Sequence, residues 1–143
     1  MMETRSHTSL VGRRAELMAE LFLQDLEPTF LARPATDLGF DFFVGFSNLK
    51  GGINTTGVVV KATPQRVLSR FDVDSRSYRR LANSNIPGLF LVVDVKHNRL
   101  FYAWPASDEP TRNGKHKTIA LPVTEVNHKT KVQLRKRLAG SVD

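Results

Sequence analysis

Leu89-Phe90-Leu91-Val92-Val93-Asp94-Val95 is a nearly unbroken apolar run. A strand with one wet face alternates polar and apolar residues, whereas a run like this belongs to a strand covered on both faces. The chain must therefore supply a layer for each side of a sheet, and helices are the natural cover. Two further runs join that sheet. In residues 39–46, Phe40, Phe42, Val44 and Phe46 face one way and Asp41 and Phe43 the other. In residues 56–63, Val58, Val60 and Ala62 share one face, while Val59, Lys61 and Thr63 share the opposite one. Lys50-Gly51-Gly52 between them is a turn, so the pair reads as an antiparallel hairpin.

The remaining elements follow from periodicity and punctuation. Ala15, Met18, Ala19, Phe22, Leu23 and Leu26 predict a first helix over 10–26, stopped by Pro28. Residues 1–9 are polar and read as a loose leader to a single domain over 10–143. Thr29 to Arg33 is a short strand ended by Pro34, and Pro64 closes the second hairpin strand. Asp72 or Asp74 caps a second helix running to about Asn83, which Asn85-Ile86-Pro87-Gly88 breaks. Lys96-His97-Asn98 turns the chain into a strand from Arg99 to Trp104. A surface loop over 105–116, a strand from Thr118 to Pro122 and a basic helix over 127–138 complete the order α-β-β-β-α-β-β-β-α. The predicted class is α/β (α+β), a mixed central sheet flanked by helices.

Lys and Arg number 21 against 14 Asp and Glu, a formal charge of +7 and a sequence pI near 10.1. Such a chain attracts polyanions, nucleic acid first among them, with an affinity that falls as salt rises. Arg76, Arg79 and Arg80 make one stripe on the second helix, and Lys129, Lys131, Arg135, Lys136 and Arg137 crowd the last. These are the expected phosphate-contacting residues. The chain has no cysteine, which excludes a disulfide framework or a thiolate zinc site and fits a reducing, cytoplasmic interior. No apolar run approaches the ~20 residues that span a bilayer, and the polar start is no secretory signal. His7, His97, His116 and His128 are scattered without metal-ligand spacing.

Asp41 and Lys61 stand out because each interrupts an apolar strand. A lone charge is costly to bury unless it is paired or binds something. A carboxylate and an ammonium on adjacent strands can hold a divalent metal and offset the charge that develops on a phosphate. A plain cross-strand ion pair is the alternative reading.

Three motifs fall in a telling order: Gly12-Arg13-Arg14-Ala15-Glu16, Asp37-Leu38-Gly39-Phe40-Asp41 and Val59-Val60-Lys61. With them, over roughly residues 10–105, the chain resembles the PD-(D/E)xK, or restriction-endonuclease-like, nuclease superfamily. More narrowly it resembles a small prokaryotic domain-of-unknown-function branch with Gly-x-x-x-Glu, Asp-x-Gly-Ile-Asp and Gln-x-Lys motifs. The resemblance implies a Mg²⁺- or Mn²⁺-dependent endonuclease acting on DNA, in a superfamily whose members serve repair, restriction or defence and often dimerise. It implies that Asp41 ligates the metal, that Glu16 joins directly or through water, and that the Val60 carbonyl adds an oxygen. It implies that Lys61 orients water or offsets phosphate charge. Val59 stands where the superfamily places Glu, Asp or Gln. The missing ligand then falls to Glu16 or to Asp37, or else the chain is a degenerate nuclease fold that only binds nucleic acid or a protein partner.

Overall fold

The computed structural model describes residues 2–36, 38–105 and 117–140, with side chains from residue 10 onward. The polypeptide forms a mixed α/β structure, with three helices and eight strands among the described residues. Helix α1 (Met2–Asp25) begins well before the expected residue 10. Ala15, Ala19 and Leu23 recur every fourth residue and are buried, so one stripe of α1 faces the core. Glu27 takes a left-handed backbone conformation (φ 57°) and Pro28 follows, which ends the helix.

Strands β1 (Phe30–Ala32), β2 (Phe42–Ser47) and β3 (Ile53–Thr63) form an antiparallel meander, with Phe30 opposite Gly45 and Phe42 opposite Val58. The expected hairpin is present, with β3 starting earlier than residue 56. Strand β2 starts later than residue 39, so Asp41 lies at its mouth and not in mid-strand. Phe40 also leaves the face it was expected to share with Phe42. Its ring covers Gly57, where a Cβ would come within 2.4 Å of it, and meets Phe43 at 5.3 Å between centroids.

After Pro64 the chain forms β4 (Arg70–Asp74), a strand absent from the sequence reading, and then α2 (Ser75–Ala82). Five residues of modest alternation carry little periodic signal, and the partner of β4 is β7 (Thr118–Pro122), paired from Arg70↔Pro122 to Asp74↔Thr118. Asp74 caps α2 by accepting the Ser77 N–H at 2.9 Å. Strand β5 (Gly88–Asp94) is buried along its whole length and lies parallel to β3. Strand β6 (Arg99–Ala103) returns antiparallel, and a short β8 (Thr124–Glu125), also unforeseen, closes the sheet in the order β1-β2-β3-β5-β6-β8. Helix α3 (His128–Leu138) follows its cap Asn127, in agreement with the expected basic helix. Residues 106–116 of the expected loop lie outside the described residues.

The two faces of the sheet have separate cores. On one, Ala19 and Leu23 of α1, Leu26 just past its end, and Leu134 and Leu138 of α3 pack on Phe42, Val44, Val58, Leu89 and Leu91. On the other, Tyr78 and Leu81 of α2 pack with Val73, Ile119 and Leu121 of the β4–β7 ribbon on Val59, Phe90 and Ala103. The alternation read for β3 therefore holds: Val58 and Val60 serve the first core and Val59 the second. Leu89–Val95 is covered on both sides, as its composition requires.

Candidate functional site

The point of interest is the end of the sheet where β2 begins beside the second half of β3. Asp41 donates its main-chain N–H to the Val58 carbonyl at 2.8 Å. Its Oδ2 accepts the Val60 N–H at 2.7 Å. The carboxylate thus takes the place that a main-chain acceptor would fill if β2 began earlier. In an extended strand the N–H and C=O of one residue point to the same side. The Val60 carbonyl consequently points to the same side of β3 as the Asp41 carboxylate.

Lys61 follows Val60 and projects to the α2 side, on the face it shares with Val59. Its Nζ donates to Asp74 Oδ1 at 3.1 Å and to Ser77 Oγ at 2.9 Å. Ser77 donates its hydroxyl to Asp74 Oδ1 at 2.8 Å and its N–H to Oδ2 at 2.9 Å. Burial works against ionisation of Asp74, but the Ser77 N–H, the Ser77 hydroxyl and the Lys61 ammonium outweigh it. They hold its pKa down to about 2. Asp74 was expected only as a helix cap. The sequence shows its capping role through local spacing, while its contact with Lys61 spans 13 positions and depends on where α2 docks.

Glu16 is carried by α1, on the layer opposite α2. Its Oε1 lies 3.1 Å from Arg33, which also meets Glu20 at 3.7 Å. Arg33 stands over the Phe42 ring at 5.5 Å, one residue from Asp41. Glu16 is thus paired with an arginine that packs on the α1 face of β2, on the layer opposite Lys61. Val59 is 7% exposed and belongs to the core beneath α2. Asp37 lies outside the described residues. Among the described residues no group of three or more His, Asp and Glu side chains could hold a metal.

The basic residues divide by use. Arg76, Arg79 and Arg80 are exposed on α2. The Arg80 side chain lies along Gly39, two residues before Asp41. On α3, Lys131 pairs with Asp25 and Arg135 donates to the Leu26 carbonyl at 2.8 Å. Arg135 also stands over Phe46, and Arg137 lies 4.1 Å from the Trp104 ring centroid. These three side chains fasten α3 to the body, while Lys129 and Lys136 are exposed at the surface. No helix among the described residues is long and apolar enough to cross a membrane. Comparison with known proteins finds no family model and no curated protein that matches this chain.

Proposed function

We propose that the chain is a Mg²⁺- or Mn²⁺-dependent endonuclease that hydrolyses DNA phosphodiester bonds, on a restriction-endonuclease-like frame. The observation that carries this reading is the Asp41 carboxylate, fixed at 2.7 Å by the N–H of Val60 beside Lys61. A carboxylate and a main-chain carbonyl on the same side of one strand fit a hard divalent cation, which takes few protein oxygens and completes its shell with water and phosphate. Asp41 and the Val60 carbonyl would hold the ion, with Asp37 and Glu16 as further candidates. When bound, the ion supplies a more acidic water and offsets negative charge at the phosphate.

The chain's own residues do the rest. Asp41 enters the site already oriented, because its Oδ2 is tied to β3. Lys61, next to Val60 on β3, offers an ammonium suited to offsetting charge on the scissile phosphate. Arg76, Arg79, Lys129 and Lys136 lie exposed on α2 and α3, where they would contact backbone phosphates and make affinity salt-dependent. Purified protein should nick supercoiled plasmid in Mg²⁺ or Mn²⁺. Asp41→Asn and Lys61→Ala should each slow this about 100-fold or more, the usual scale for losing a charged group at a transition state. Cleavage that survives both substitutions rejects the site.

One observation favours a second reading. Val59 is packed into a core and Lys61 is engaged by Asp74. A binding module that has lost its chemistry would look the same. It would hold DNA equally well in EDTA and cut in no divalent ion, and Val59→Gln would then report whether one polar group restores cleavage.

A further inference from the structure

We propose that Asp74 is the acid partner of Lys61 at this site, supplying from the cap of α2 the negative charge that Val59 does not offer on β3. The inference rests on the nuclease reading and deepens it. Val59 and Lys61 share a face of β3, and the place beside the amine that a carboxylate at residue 59 would serve is instead served from above. Asp74 Oδ1 lies 3.1 Å from Lys61 Nζ, and Ser77 Oγ lies 2.9 Å from it. The ammonium therefore has two fixed acceptors, both on the first turn of one helix. Ser77 also donates to Asp74, so the three side chains form a closed set in which each is bonded to the other two.

Helix α2 is in turn tied to the carboxylate side of the site. Gly39 has φ +88°, and a Cβ there would come within 2.2 Å of Arg80 Cδ. The Arg80 stem thus rests on the turn that leads into Asp41, one helical turn beyond Ser77. A single short helix thereby sets the lysine through its cap and leans on the turn before the aspartate through its second turn. Asp74 is a positioning residue: it acts through Lys61 and holds the amine in one place. An ordinary helix cap with a bystander lysine would share the Asp74–Ser77 bonds but would have no bearing on turnover.

The chemistry of the cap separates these roles. Asparagine caps a helix about as well as aspartate, so Asp74→Asn keeps an acceptor for the Ser77 N–H and puts an uncharged amide NH2 where Oδ1 accepts from Lys61 and the Ser77 hydroxyl. With full-length protein, supercoiled plasmid and Mn²⁺, Asp74→Asn should lower kcat about tenfold, equivalent to ~1.4 kcal/mol at the barrier. DNA affinity should stay at the parent value and the melting midpoint should fall by no more than about 1–2 °C, and Asp74→Glu should recover part of the rate. An unchanged kcat in Asp74→Asn overturns the proposal. A parent protein that cuts no DNA overturns the nuclease reading instead. The pairing is then judged by the rate at which acetic anhydride labels Lys61, followed by mass spectrometry. A several-fold faster rate in Asp74→Asn supports the clamp, and an equal rate overturns it.

Discussion

Asp94 and Asp74 both sit at the end of a strand and both have a carboxyl pKa lowered from its ordinary value, yet they are held in different ways. Asp94 is wholly buried, at 0% exposure. Its Oδ1 accepts the N–H groups of Lys96 and His97 at 3.1 and 3.0 Å, and His97 Nδ1 lies 2.8 Å from Oδ2. Burial alone would raise its pKa, and these bonds outweigh it. Every partner lies within three residues, so the carboxylate serves its own turn between β5 and β6. Asp74 is half exposed and reaches Lys61 across 13 positions. Local satisfaction fixes a fold, whereas a half-open contact between distant residues leaves charged groups where a ligand can meet them. The same contrast separates Arg135, spent on the Leu26 carbonyl and the Phe46 ring, from the exposed arginines of α2.

That contrast breaks first on Asp94. Asp94→Ala empties a fully buried site and removes the acceptor shared by the Lys96 and His97 N–H groups and the His97 ring, and should cost about 2–3 kcal/mol in urea unfolding. A midpoint equal to the parent's would remove the structural half of the comparison. Gly39→Ala should be next, at about 1–2 kcal/mol. Alanine disfavours the left-handed conformation, and its Cβ would collide with the Arg80 stem. If it is neutral, α2 does not lean on the Asp41 turn.

Smaller effects sharpen the other half. Asp74→Ala should cost about 1 kcal/mol through the lost cap, and Asp74→Asn only a few tenths. The folded pKa of Asp74, about 2, lies below the usual unfolded value near 3.9. Its charge-dependent stabilisation is therefore complete above that unfolded value and disappears as pH falls through about 2. Thermal melts between pH 4 and pH 2 should accordingly steepen less in Asp74→Asn than in the parent. Lys61→Met should be the mildest, within about 0.5 kcal/mol, because a partly exposed ion pair contributes little to stability. A large loss of stability there would mark Lys61 as structural and weaken its catalytic assignment.

Much of the architecture was legible because its signals are local. The nearly unbroken Leu89–Val95 run required cover on both faces, and the Val58/Val60 against Val59 alternation assigned these valines to their cores. Strand β4 escaped notice because Arg70–Asp74 gains meaning only beside β7, far along the chain. Phe40 broke its expected face because Gly57 offered a bare stretch of sheet for its ring to cover. The site was legible in part. Lys61 stood out as a charge in an apolar strand and lies on β3, whereas Asp41, read as mid-strand, stands just before β2, which does run beside β3. The Asp74 partner was hidden behind its more obvious capping role, and the Glu16–Arg33 pair depends on how α1 crosses the sheet.

A crystal of the full chain grown with Mn²⁺ and measured for anomalous scattering tests the central claim most directly. The account predicts one peak in the gap between the Asp41 carboxylate and the Val60 carbonyl, with the Lys61 ammonium beside it and still bonded to Asp74. No peak in that gap at saturating Mn²⁺, or ions bound only at remote surface carboxylates, would contradict it.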